Sequence, residues 1–234
     1  MSSRQNLSEP ILVSFSGLDG SGKTTQIIAL REAIAHLGLP SELITFWDDV
    51  VVATRFREGF VHKVLGSEKG VGEPGRPVER RDKNVHSAYL TLTRHLLYLA
   101  DAVHLRLVLS RARLDGAQVI VMDRYLYDEL ANLPLNNRFS AFYAKLLAWI
   151  VPRPELAILL DTDPVAARAR KPEYSLDFMH ESRNSYFRLA QLLGSITVIP
   201  PLALEDAQRA VLTAFLRVLG RRQGESLAGA APAA

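Results

Sequence analysis

The chain has 234 residues, 48% hydrophobic and 23% charged, with a net charge of +3, a pI near 9.3 and no cysteine. This length suits one α/β domain with a buried core, and the ordinary composition excludes fibrous and disordered classes. The missing cysteine rules out disulfides, thiolate metal sites and cysteine nucleophiles, while the mild positive charge favours small anions over nucleic acid, which would call for a clustered basic stripe.

Residues Met1–Pro10 are polar and lack the basic-then-apolar arrangement of a signal peptide. No apolar run approaches the roughly 20 residues that span a bilayer. The expectation is a cytoplasmic protein whose partners are small molecules, with neither membrane nor nucleic acid among them.

In chain order, Ile11–Phe15 is a short apolar run that reads as a strand and ends at a glycine-rich turn. A helix is predicted over Thr24–Leu37, where Ile27, Ile28, Leu30, Ile34 and Leu37 recur at helical spacing, and Gly38 and Pro40 stop it. Further strands are predicted at Ser41–Phe46, Val119–Met122, Leu156–Leu160 and Ile196–Ile199. Helices are predicted at Ser87–Leu114, Ser140–Ile150, Asp163–Arg170, Ser175–Leu193 and Leu204–Leu219.

Continuous apolar strands alternating with amphipathic helices imply a parallel sheet covered on both faces, a doubly wound α/β sandwich. One domain is expected over residues 1–220, followed by a disordered tail over 221–234. The Gly-, Pro- and charge-rich stretch at 62–86 is too long for an ordinary connection and is expected to be a mobile insertion.

The run Gly17-Leu18-Asp19-Gly20-Ser21-Gly22-Lys23-Thr24 matches the Walker A pattern of a glycine, four residues, then Gly-Lys-Ser/Thr. Glycines allow backbone N–H groups to close around phosphate oxygens, and the following helix adds its positive end. Lys23 is placed to bridge two phosphates and the Thr24 hydroxyl to ligate Mg²⁺. ATP and Mg²⁺ are therefore the expected cofactors, held by Gly17, Gly20, Ser21, Gly22, Lys23, Thr24 and Thr25.

With Thr25 and Gln26 added, this segment resembles the thymidylate kinase family of P-loop nucleoside monophosphate kinases. Asp123-Arg124-Tyr125 directly after the strand Val119–Met122 resembles that family's Asp-Arg-Tyr/His motif, and the run Leu159–Lys171 resembles its Asp-x-x-Pro turn and arginine-bearing lid. The resemblance implies a five-stranded parallel sheet with a short lid at about 163–175, ATP-dependent transfer to a nucleoside monophosphate, dTMP by default, and a homodimer. It implies roles for Asp123 near the metal, Arg124 on the acceptor phosphate, Asp19 on the acceptor sugar, Tyr98 stacking on the acceptor base, and Arg168 and Arg170 as catalytic lid arginines beside Lys23.

The chain departs from the family on the acceptor side. Phe46-Trp47-Asp48-Asp49-Val50 replaces the Arg-Glu-Pro-Gly-Gly-Thr segment, Ala102 replaces the arginine that reads the thymine edge, and Asp128 replaces a serine. A carboxylate at Asp128 could accept hydrogen bonds from a sugar hydroxyl or a base amino group. Two alternatives stay open: a kinase acting on a hydroxyl, with Asp48 or Asp49 as base, and a nucleotide-binding switch without turnover. Arg55 and Arg57 are candidate substitutes for the missing acceptor-phosphate arginine, and Arg76, Arg80, Arg81 and Lys83 are candidates to close over the acceptor.

Overall fold

The computed structural model describes residues 9–51 and 88–229, with side-chain surroundings for 9–51 and 95–224. The insertion at 62–86, with Arg55, Arg57, Arg76, Arg80, Arg81 and Lys83, lies outside the described residues.

Five strands, β1 (Ile11–Ser16), β2 (Ser41–Thr45), β3 (Val119–Asp123), β4 (Leu156–Leu160) and β5 (Ile196–Ile199), form one sheet in the order β2-β3-β1-β4-β5. Every pairing is parallel, as crossover helices between successive strands require. The expected strands are all present. β1 and β3 each run one residue further than expected, through Ser16 and Asp123, and Phe46 leaves β2 to begin a π-helical turn, Phe46–Val50.

Alternation along β1 sends Ile11, Val13 and Phe15 to one face and Leu12, Ser14 and Ser16 to the other. The first set packs with α1 (Lys23–His36) and the C-terminal helix through Ile27, Leu30, Ile34, Val211 and Phe215. The opposite face is covered by α2 (Ala88–Leu114), the short α3 (Leu126–Leu130), α4 (Arg138–Ile150) and α6 (Leu176–Leu193). The lid helix α5 (Pro164–Arg170) starts at Asp163, whose carboxylate accepts from Ala166 N at 3.2 Å with Pro164 in the first turn.

The last helix, α7, runs Leu204–Gly229, so residues 221–229 are helical where a disordered tail was expected. Gly220 and Gly224 suggest a stop, but each costs a helix only about 1 kcal/mol relative to alanine. Arg222 fastens this end to the sheet, its Nε and Nη2 donating to the Glu155 carboxylate at 2.8 and 2.9 Å.

Candidate active site

The phosphate-binding loop joins β1 to α1 at the carboxyl end of the sheet, where ligands bind in doubly wound folds. Its glycines have structural reasons. Gly17, Gly20 and Gly22 have φ of 141°, 81° and 89°, a region L side chains avoid. A Cβ on Gly17 would lie 2.5 Å from the Leu160 carbonyl oxygen, and one on Gly20 would lie 2.5 Å from that of Ala167. The loop is thus pressed against β4 on one side and the lid helix on the other.

Leu18 packs with Ala167 of α5, Tyr174 and Met179 of α6 in a small apolar cluster. The segment expected to form the lid therefore rests directly on the loop. The Lys23 ammonium, 7% exposed, donates to Gly17 O at 2.9 Å and Leu18 O at 2.7 Å. Burial, reinforced by the nearby Arg124 charge, lowers its pKa to about 8. Thr24 and Thr25 are exposed on the first turn of α1.

Beside the loop, β3 ends in Asp123, and the Arg124 N–H still donates to Phe15 O at 2.9 Å. Arg124 then turns with φ 67°, the left-handed region that bulky residues enter only under constraint. Its guanidinium is gripped from two sides, by the Asp19 carboxylate through Nη2 and by Asp128 Oδ1 at 3.2 Å through Nη1. Burial pulls its pKa down, but the surrounding carboxylates, Asp128 foremost, outweigh it and the net shift is upward. Burial raises the Asp123 pKa, with Lys23 and Arg124 opposing the rise.

Asp128 is 4% exposed and occupied by protein donors. Oδ2 accepts from Ser16 Oγ at 2.7 Å and Tyr125 N at 3.0 Å, and Oδ1 accepts from the Tyr186 hydroxyl at 2.8 Å as well as from Arg124. Its lone pairs, expected to serve a substrate sugar or base, are directed into the protein here. Burial, then the Asp128 charge, pushes the Tyr186 pKa well up, so its phenol is a proton donor.

The other expected residues divide. Asp49 Oδ2 accepts from Thr45 N at 2.7 Å and so fastens the π-helical turn, which counts against it as a catalytic base, while the Asp48 side chain is exposed beside it. Tyr98 is 5% exposed within the core that holds Phe46, Val50, Ala102 and Tyr125, an arrangement that fits packing better than a stacking platform. Arg168 follows Ala167 at the loop, and its buried Nε has no hydrogen-bond partner among the described residues. Arg170 instead folds back, donating from Nη2 to Thr162 Oγ1 at 2.8 Å and from Nε to Ala166 O at 3.2 Å.

Three participants were not legible beforehand. Ser16 lies one residue past the predicted strand Ile11–Phe15, and Tyr186 and Arg183 fall inside the predicted helix Ser175–Leu193 with no role assigned to them. Arg183 forms a bidentate pair with Asp161 at the end of β4, at 2.6 and 2.7 Å, which ties α6 to the lid's starting point. Only the polar residue at an inward β1 position, Ser16, carried a signal in the pattern.

The residues fit a bound nucleoside triphosphate with its metal. The glycine cradle admits no side chains, the buried Ser21 hydroxyl has no partner among the described residues, and the Lys23 ammonium is spent on loop carbonyls that phosphate oxygens could replace. No group of three or more His, Cys, Asp or Glu that could cage a metal exists among the described residues.

The sheet order, the cradle and the lysine at the head of α1 define a P-loop NTPase fold. The probable thymidylate kinase of Pyrococcus abyssi is 28% identical over 202 residues, covering 82% of this chain and 88% of the relative. The thymidylate kinase of Desulforudis audaxviator is 27% identical over 195 residues, covering 77% of each. The crystal structure of thymidylate kinase from Ehrlichia chaffeensis shares the fold, with a TM-score of 0.58 at 15% identity over 89% of this chain and 99% of that one. No family model matches the chain. Over most of its length the chain is similar to thymidylate kinases.

Proposed function

We propose that the protein transfers a phosphoryl group from Mg-ATP to a nucleoside monophosphate, with dTMP the first acceptor to test. The observation that carries this reading is the buried Lys23 ammonium in its glycine cradle, set beside an arginine held between Asp19 and Asp128. The loop Gly17–Thr25 would hold the triphosphate, with Gly20, Ser21 and Gly22 lining it, and Thr24 and Asp123 would organise Mg²⁺. ATP supplies the phosphoryl group.

An acceptor phosphate is already anionic, so no general base is needed, and the protein's task is to position the reactants and neutralise charge. Lys23 and Arg168 serve the donor side and Arg124 the acceptor side. Arg170 would join them only by leaving Thr162. The chemistry suits a cytoplasmic enzyme, and no helix among the described residues is long and apolar enough to cross a membrane.

Acceptor-dependent ADP release across a panel of nucleoside monophosphates, nucleosides and phosphorylated metabolites tests the reading. The expected result is turnover with dTMP. Activity confined to nucleosides or other hydroxyl acceptors would transfer the role of base to Asp48, and release of ADP independent of every acceptor would favour a nucleotide switch.

The family's homodimer is part of the same reading. Leu96, Leu99, Val103 and Leu107 recur on the outer side of α2, and Phe139, Phe142, Leu146 and Trp149 on that of α4. The two helices lie side by side, joined by the tilted His95 and Tyr143 rings, 4.3 Å between centroids, and the Arg106–Ile150 O hydrogen bond. Trp149 is 81% exposed, and a contiguous apolar surface of this kind marks an interface. A second copy of the chain is the proposed occupant, and Trp149→Glu is expected to convert a dimer into a monomer in light-scattering chromatography. A dimeric variant, or a monomeric parent, would remove the proposal.

A further inference from the structure

The family pattern puts a serine where this chain has Asp128, and the surroundings of that carboxylate are specific to it. Four donors from three parts of the fold converge on it: Ser16 at the end of β1, Tyr125 N and Arg124 at the start of α3, and Tyr186 in the middle of α6. An ionised carboxylate is acceptor-only and offers about four lone-pair sites, so it can take all four, which a serine hydroxyl cannot.

We infer that Asp128 is a positioning residue for phosphoryl transfer, a buried anchor that fixes Arg124 in its left-handed turn and couples it through Tyr186 to the helix that follows the lid. This rests on the reading of Arg124 as the acceptor-side group. The two carboxylates on Arg124 then have different tasks. Asp128, with a side chain 3% exposed, is the permanent partner of Nη1, and Asp19, 24% exposed, is the exchangeable partner of Nη2. An incoming anion replaces Asp19 and finds the guanidinium already oriented, because the tether behind it does not move.

Asp128→Asn keeps the size of the side chain but turns one acceptor into a donor facing donors, and Tyr186→Phe removes one of the four bonds while leaving the ring. Nitrogen-detected NMR of the arginine side chains, with Arg124→Lys to assign the resonance, reads the anchor in the nucleotide-free protein. Slow rotation and separate Nη1 and Nη2 signals are expected for the parent, collapsing to an averaged signal in Asp128→Asn. An Arg124 signal indifferent to Asp128→Asn would overturn the inference, whether or not the protein turns over dTMP.

In a parent that is active, Asp128→Asn is expected to raise the acceptor KM about tenfold, the loss of one charge-assisted hydrogen bond, with the ATP KM within twofold. Tyr186→Phe should give a smaller change in the same sense. Equal losses on both substrates that track a lowered Tm would show a residue that merely holds the fold, and would also overturn the proposal. A parent without activity on any monophosphate would sink the functional reading alone, with the NMR result still deciding the anchor.

Discussion

Replacing Lys23 by methionine is expected to abolish measurable phosphoryl transfer, lowering kcat by at least about 10²–10³-fold, the loss that follows removal of one preorganised charge-stabilising donor, in a protein that melts close to the parent. Both parts follow from where the ammonium sits. It is almost fully buried, and its pKa is lowered to about 8 from 10.5, which makes the charged form cost the folded state about 3 kcal/mol. Its two bonds to Gly17 O and Leu18 O offset a comparable amount. Methionine removes both the cost and the bonds.

The same group gives a pH signature. A lowered lysine pKa means that the native chain binds fewer protons than the unfolded chain between about pH 8 and 10.5, so this group's contribution to stability rises with pH through that window and is constant below it. Phosphate oxygens around the ammonium favour its charged form, so Mg-ATP binding at pH 8.5–9 is expected to take up most of one proton. Calorimetry in buffers of different ionisation enthalpy measures that uptake. It should vanish in Lys23→Met, and uptake that persists in the variant would place the titrating group elsewhere.

Gly17→Ala should be strongly damaging. The new Cβ would stand 2.5 Å from the Leu160 carbonyl oxygen and 3.2 Å from Ser21 Oγ, at a φ of 141°. The first contact is to the backbone of a central strand, which cannot step aside as a flexible side chain would. Backbone strain at such a position costs of order 1–3 kcal/mol, or a fall in Tm of roughly 2–12 °C for a chain of this size. The loop must also lift away from β4, so nucleotide affinity should fall as well. Parent-like melting and parent-like Mg-ATP affinity together would contradict the close approach.

Most of the fold could be read from the residues because the strands are uniformly apolar and the helices are punctuated by glycine and proline. The short helix Leu126–Leu130 was not legible, being a single turn started by the capping contact of Asp128 with Tyr125 N. The π-helical turn was missed for the same reason: Asp49 folds back on Thr45 N, a local bond with no periodic signature. The glycine-rich loop of the candidate site was legible because a contiguous motif carries it. The cluster around Asp128 was not, because Asp128, Ser16 and Tyr186 meet only after α6 has crossed back over the sheet. Tyr98 shows the opposite failure, where helical spacing equally suited the core that it joins.

The contact between Leu18 and the Ala167–Met179 region has a kinetic meaning. One side chain of the phosphate-binding loop is a member of the lid's own apolar cluster, so the lid has a resting place on the loop before any ligand arrives. Separating them exposes that leucine to water, about 1.5–3 kcal/mol, which makes the opened state a minority species by roughly one to two orders of magnitude. On the proposed function, the residence times of both nucleotides are then expected to depend partly on this hydrophobic latch.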